Sequence, residues 1–537
     1  MHCRSLPLRA LPHQPQILLD FLYDYDRVSR FYPHRPNLAS ALDSAKSLQY
    51  PAERRAVVTA VLREQNAAFG CGSATEANLA RLEQGASVVV TGQQVGLLTG
   101  PAYAIYKALS AVRVAKDLTE AGSDAVPVFW MATEDHDLDE VRHTAFFHDG
   151  HVTRFELPPS PGTGAPVGTL KLGDSIVEIV RAASLMLGGE EGGALARILR
   201  ETYQPDETYG TSFAKLFSRL LTEFGIILMD PLDRRLHQVA APVYLEALER
   251  RDEFNQQLLE RGTELEAAGY PPQVKVTGRS ALLFFVGGGV RQAINTGEKS
   301  FRAGEMTWRK DELLSRIKGE PEKFSPNALL RPVVQDFLLP SVVYVGGPAE
   351  VSYCAQSEVL YRQILGRAPA LFPRADFTLA DPKGQRLLEQ YGLRVENVWS
   401  GPQSLRHELQ TRNLPKPLAK KFKKETEQME KLLDQWSSSI KKVDPTLVPA
   451  VDTARSKIRF QTEKLLQMTG RALDQKNGVL AAHEEFLSNL LYPRKTLQSR
   501  ELNFLPFLAR WGAQGLRDLE AHASSKRLGQ HFVVPIP

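Results

Sequence analysis

Three groups of residues combine types and spacings that could do chemistry. The first is Thr91-Gly92-Gln93-Gln94-Val95-Gly96-Leu97-Leu98-Thr99-Gly100-Pro101. Its glycines, Gly92, Gly96 and Gly100, let a backbone approach a ligand closely, and a helix starting just after it would offer unpaired N–H groups to a phosphate or carboxylate. Gln93, Gln94 and Thr99 add neutral hydrogen-bonding groups, while Tyr103 and Lys107, at i and i+4, share one face of that helix. The segment matches neither the GxxxxGK(S/T) nor the GxGxxG pattern. A binding loop of another kind is expected, in preference to a Gly-rich connection. The second group is Glu134-Asp135-His136-Asp137, with Asp139 and Glu140 close behind. Carboxylates beside an imidazole can hold an ammonium group, take its proton as general base, or ligate Mg²⁺. The spacing fits no particular metal motif, so no metal ligands are assigned. The plainer alternative is a solvated, acidic helix start. The third group is Asn327 with Arg331, the pair Gly346-Gly347, and Arg374. Each arginine is a candidate bidentate clamp for a carboxylate or phosphate, or a structural arginine. Cys354 reads as a small buried hydrophobe rather than a nucleophile, and the lysines at 416, 420, 421, 423 and 424 as a solvated face.

Such groups need elements to aim them. SVVVT (Ser87 to Thr91) is a β-branched run ended by glycine, followed by the amphipathic AYAIYKALSAVRVAKDL; VPVFWMA (Val126 to Ala132) is a second buried strand directly before the acidic cluster. Strand, loop, helix and strand make a βαβ unit. GIILMD, ending at Asp230, and SVVYVGG, ending at Gly347, have the same form. An α/β fold with a Rossmann-like parallel sheet is predicted, its ligands beyond the carboxyl ends of the strands. Residues 1–410 are assigned to this core. Long insertions fall at about 150–205, where HVTRFELPPSPGTGAPVGTLKL reads as a small β insertion, and at about 235–325. Residues 411–500 read as an antiparallel helical coiled coil. Phe422, Met429 and Trp436 recur every seven residues with Leu433 and Ile440; after Asp444-Pro445 one register runs Val451, Ile458, Leu465, Ala472, Val479, Phe486, and the other Ala454, Gln461, Met468, Gln475, Ala482. This arm is expected to dimerise, with a hairpin packed on itself as the alternative. The tail, 501–537, is apolar enough to pack back on the core.

Composition narrows the partners. The 537 residues carry 66 Lys+Arg against 62 Asp+Glu, a net charge of +4, with 43% hydrophobic residues. That is a soluble globular balance without the electrostatic footprint of a nucleic-acid or membrane-surface binder. No apolar run reaches the ~20 residues that span a bilayer, and the N-terminus lacks a signal-peptide core. Three scattered cysteines, with no CxxC pair, fit a reducing cytoplasm.

The stretches VVVTGQQVGLLTGPAYAIYK, VPVFWMATEDHDLDEV, SPNALLRPVVQDFLLPSVVYVGGPAEVSYCAQ and LQSRELNFLPF, in this order along most of the chain, resemble the BshC family, the cysteine-adding ligases of bacillithiol biosynthesis. The resemblance implies a Rossmann-like core with connecting-peptide insertions and a C-terminal coiled coil that mediates homodimerisation. It also implies an enzyme that joins the carboxyl group of cysteine to the amine of glucosaminyl-malate by an amide bond. Such a bond is uphill in water and requires activation, for which ATP is the expected co-substrate, with Mg²⁺ possible. On this reading the Gly92–Gly100 loop receives phosphate, Arg331, Arg374 and Lys107 receive carboxylates, and Glu134, Asp135, His136 and Asp137 supply acid–base chemistry. The alternatives are another Rossmann-like nucleotidyltransferase, or a coiled-coil scaffold with a vestigial cleft.

Overall fold

Short β-branched and aromatic runs without polar alternation suit strands covered on both faces, and five of them pair into one sheet. These are β1 (Ser87–Gln93), β2 (Ala125–Met131), β3 (Ile227–Met229), β4 (Ser341–Gly346) and β5 (Ala370–Pro373). The computed structural model describes residues 3–159, 164–297 and 300–537, with side chains throughout except at 416, 467 and 474–477. The spatial order is β5-β4-β1-β2-β3, and every neighbouring pair is parallel. The chain therefore winds one way through β1, β2 and β3 and then returns to the other side of β1 for β4 and β5. The switch point lies between β1 and β4, where crossovers leave a crevice beyond the strand ends. Helix α1 (Tyr103–Glu120) covers one face of the sheet, with Ala111, Val114, Ala115 and Leu118 buried in the same cluster as Val89, Val343, Val345 and Phe372.

The segments between β2 and β3 and between β3 and β4 are long. Among the described residues of the glycine- and proline-rich stretch after residue 150, only His151–Glu156 is a strand, paired with His143–His148. Residues 160–163 lie outside the described residues. From there to β3 the chain is mostly helical: Ser175–Leu187, Gly189–Thr202 and Tyr209–Leu220. The small β insertion expected there is thus one hairpin. Pro158 and Pro159 cannot continue a ladder, and SIVEIVRAASLML has the apolar spacing of a helix. The second long segment carries α2 (Arg234–Glu249) and a five-stranded antiparallel sheet that includes Ser280–Gly287, Val290–Thr296 and Phe324–Pro326. Two further helices frame the crevice: α3 (Arg331–Leu338) before β4, and α4 (Pro348–Leu360) after it. At the chain ends, Gln530–Pro535 pairs antiparallel with Arg4–Pro7.

The chain divides into two compact units. One contains residues up to His148, Val152–Leu379 and Ser499–Pro537; the other contains Asp149–His151 and Ala380–Gln498. The second unit holds the helical arm, α5 (Lys416–Val443) and α6 (Val448–Asn477), turned at Asp444, whose side chain accepts from Thr446 N at 2.8 Å. The pair is antiparallel: Arg455 reaches Glu430 (2.6 Å) and Asp434 (2.7 Å), and Arg459 reaches Glu430 (2.8 Å). The heptads run differently from the expected registers. Helix α6 ends at Asn477, and Gly478 turns at φ +62° into a separate helix, Val479–Leu491, so Val479 and Phe486 do not extend the α6 seam. The face of α6 that is withdrawn from solvent steps Val451, Arg455, Ile458, Thr462, Leu466, whereas Ala454, Gln461, Leu465 and Met468 are exposed. A seven-residue repeat marks apolar positions without fixing which of them face the other helix of the hairpin, and here the inner position is 466 rather than 465. The side chain of Gln475 lies outside those described. On α5, Leu433 is buried but Trp436 is 59% exposed. Lys420, Lys421, Lys423 and Lys424 are exposed, as a solvated face requires.

Candidate functional site

A cavity of about 320 Å³ opens at the switch point, bordered by the end of β1, by α1, and by the N-terminus of α4. Gly92, Gln93 and Gln94 form its floor. Gly92 is required there, because a Cβ would stand 2.8 Å from the carbonyl oxygen of Trp130 on β2. From α1, Lys107 enters with only 3% of its surface exposed. Its ammonium donates to Gly92 O (2.7 Å) and Gln93 Oε1 (2.9 Å) and pairs with Glu350. Burial pulls the Lys107 pKa down, countered chiefly by Glu350. Glu350 is largely withdrawn from solvent, which works against its charge, but Lys107, the Tyr344 hydroxyl (2.6 Å) and Gly347 N (2.6 Å) hold its carboxyl below the ordinary value. Arg331, at the start of α3, donates to Tyr344 (3.0 Å), Tyr353 (2.9 Å) and Gln335 (3.0 Å). Arg374, just beyond β5, pairs with the buried Asp376 and lies 5.7 Å from the Tyr103 ring centroid. The cations predicted as clamps do gather at one cavity, yet each is already engaged by partners from the chain.

The acidic cluster divides. Asp135 lines the cavity with Glu140, and the two are joined by the Gln94 amide, which donates to both at 2.8 Å. Asp137 does not line it. Asp137 accepts Glu140 N at 3.2 Å and caps the short helix Leu138–Val141, so the acidic helix start describes that residue. Glu134 is buried beside the Nε2 of His237 (3.7 Å), and its Oε1 has no hydrogen-bond partner among the described residues. Burial raises its pKa to about 8. His136 turns to the antiparallel sheet, where Arg291 meets its Nδ1 at 3.0 Å while also bonding Ser325 Oγ (2.8 Å) and Pro326 O (2.9 Å) and stacking on Phe284. A guanidinium has donors only. Nδ1 must therefore accept, which places the ring proton on Nε2 and makes His136 a hydrogen-bond donor toward anything beyond it. Asp135 Oδ1 lies farther from the same nitrogen, at 3.7 Å. In Arg291→Met the ring is released: the ¹⁵N shifts of selectively labelled histidine should show mixed tautomers in place of one, and turnover should fall about tenfold.

Other predicted residues lie off the cavity wall. The loop doubles back after Gln94, and Gly96 and Gly100 press together so closely that a Cβ on Gly96 would stand 2.8 Å from Gly100 Cα. Thr99, at φ +78°, is buried in that turn. Around the start of α1, Ala102 N pairs with Leu502 O and Ala104 N with Pro101 O. The tail thus takes one N–H group of the expected phosphate cradle. Asn327 caps the approach to α3 by accepting from Leu329 N (3.1 Å) and Leu330 N (2.9 Å). Gly346 ends β4 just behind the wall, whereas Gly347 lines it. Sequence reasoning missed Glu350, although its position three residues after Gly347, with proline between, is a capping spacing. It also missed Arg291 and Arg500, which no local pattern marks.

The model of the bacillithiol biosynthesis BshC N-terminal Rossmann-like domain matches residues 1–375, and that of its C-terminal coiled-coil domain matches residues 377–535. The chain belongs to the BshC family. The relative named "Putative cysteine ligase BshC" from Koribacter versatilis (strain Ellin345) is 41% identical over 511 residues, covering 94% of this chain and 95% of the relative. Relatives of the same name from Solibacter usitatus (strain Ellin6076) and Salinibacter ruber (strain DSM 13855 / M31) are 38% and 31% identical and cover 95% and 99% of this chain, and 96% and 98% of their own lengths. Membership makes the chain an enzyme of a ligase family of bacillithiol biosynthesis. No helix of the described residues is long and apolar enough to cross a membrane, and those residues hold no cluster of three metal-binding side chains.

Proposed function

We propose that this BshC family member joins the carboxyl group of cysteine to the amine of glucosaminyl-malate in the cytoplasm, with ATP as activating co-substrate. The observation that carries this reading is the pairing, in one cavity at the switch point, of a basic side (Lys107, Arg331, Arg374) with an acidic one (Asp135, Glu140). Carboxylate-bearing substrates and an ammonium group require both. Activation makes the cysteine carboxyl an acyl phosphate or adenylate; attack by the amine forms the C–N bond and breaks the bond to the phosphoryl oxygen. Asp135 or Glu140 can take the ammonium proton on this wall, since Glu350 is paired with Lys107, burial raises the Glu134 pKa to about 8 and His136 presents a donor. Gln94 holds Asp135 and Glu140 in register for that step. If ATP enters with Mg²⁺, the same two carboxylates are the residues that would hold the ion, which neutralises phosphate charge when bound. The apolar side chains left exposed on the arm, among them Trp436, Phe460, Leu465 and Met468, support a homodimer through it.

Incubating purified protein with cysteine, glucosaminyl-malate and ATP should yield bacillithiol by mass spectrometry, and the same preparation should sediment at twice the chain mass. Folded protein that forms no product from the three substrates refutes the ligase assignment, and a monomeric mass refutes the dimer.

A further inference from the structure

Among the described residues, the cavity holds one cation that the chain itself leaves uncommitted. Lys107, Arg331 and Arg374 are each bonded to side chains of the fold. Arg500 lines the same cavity, is exposed, and among the described residues has no hydrogen bond or ion pair. Its backbone, in contrast, is fixed on both sides. Ser499, 1% exposed, donates to Asp376 Oδ1 at 2.8 Å. Asn503, fully buried, donates to Leu98 O (2.7 Å) and Gly100 O (2.9 Å), and its own N–H bonds Ala145 O at 2.7 Å. The segment that pairs with the backbone just before α1 therefore also delivers a charged side chain to the cavity. Anchoring the backbone removes part of the ordering cost that binding would otherwise carry.

We infer that Arg500 is the anchor for a carboxylate of the malate portion of the acceptor substrate. This rests on the ligase reading above. The acceptor carries its negative charge on the malate joined to the anomeric carbon of the sugar, next to the carbon that bears the reacting amine, so an anion site and an ammonium site are needed within one molecule's length. Glu140 and Arg500 line the same cavity of about 320 Å³, which places the two sites that close. The carboxyl of cysteine is the reacting centre and must be left to the activating group. A guanidinium also suits a carboxylate through its paired donors.

The test is kinetics of the full-length protein with Arg500→Ala and Arg500→Lys, together with calorimetric titration of L-malate. Arg500→Ala should raise KM for glucosaminyl-malate about 10- to 100-fold, leave KM for cysteine and ATP within about twofold, and weaken malate binding by a similar factor; Arg500→Lys should recover part of the loss. An unchanged acceptor KM, a raised KM for ATP in its place, or malate binding that is absent in the wild type or equal in Arg500→Ala overturns the inference. If the wild type makes no product, the ligase reading falls, and the malate titration still decides the role of Arg500.

Discussion

Replacing Lys107 with Met is expected to cost about 3–5 kcal/mol of stability and to abolish measurable turnover. The ammonium is the hub of the site, bonded to the β1 carbonyl of Gly92, to the Gln93 side chain and to Glu350. Met fills most of the volume but leaves the Glu350 carboxylate largely withdrawn from solvent with only Tyr344 and Gly347 N to satisfy it. Removing one member of a buried ion pair strands the other charge, and this, rather than the strength of the pair, sets the penalty. The double replacement Lys107→Met with Glu350→Gln should therefore be more stable than Lys107→Met alone, by on the order of 1–3 kcal/mol. It should remain inactive, because Gln93 and the Gly92 carbonyl lose the donor that fixes them. Urea titration of the three variants measures the first effect, and product formation the second. A single variant within about 1 kcal/mol of wild type would show that Lys107 is not held as a charged group.

That hub was half legible in the sequence. The strand–loop–helix pattern around Ser87 to Lys107 located the carboxyl end of a parallel strand, and Tyr103 and Lys107 at i and i+4 defined one helix face, so a cluster of polar groups at the strand end could be read from spacing. The same holds for Gly347 after β4. Glu350 escaped because its function depends on Lys107, far away in sequence, and only the order β5-β4-β1-β2-β3 makes them neighbours. β5 escaped as well: ALFP is four residues and too short to show a period. The acidic cluster shows the limit from the other side. Glu134, Asp135, His136 and Asp137 are consecutive and all titratable, but a chain leaving a strand points successive side chains in different directions. One meets the cavity, one caps a helix, one meets Arg291 from an inserted sheet, and one is buried against α2. The heptads of the arm show the same limit, since a repeat of seven says which residues are apolar but not which of them face the other helix of the hairpin.

The buried member of that cluster gives the second large effect. Glu134→Gln should leave stability almost unchanged at pH 5 and exceed wild type by a few kcal/mol at pH 8.5. Burial raises the Glu134 pKa from 4.5 to about 8, so the folded protein favours the protonated carboxyl. The sign comes from linkage: stability is fully present below about pH 4.5, where both states are protonated, and is lost as pH rises toward 8, because the unfolded chain ionises freely while the folded one does not. Above pH 8 both states are ionised and the deficit levels off. Gln, close in shape and always neutral, carries no such loss. His237 acts in the opposite sense: burial lowers its pKa to about 4, so its stability is present above about pH 6.5 and is lost as pH falls through 4. Both proteins retain His237, so its contribution largely cancels when the two are compared at each pH. Denaturant midpoints at half-unit steps from pH 5 to 8.5 would show the difference growing along a single titration curve. A difference that stays flat would mean that Glu134 is ionised across the range, with a cation or an ordered water meeting its unpartnered Oε1; it would then be free to take a proton, and the role assigned to Asp135 or Glu140 would have to be shared with it.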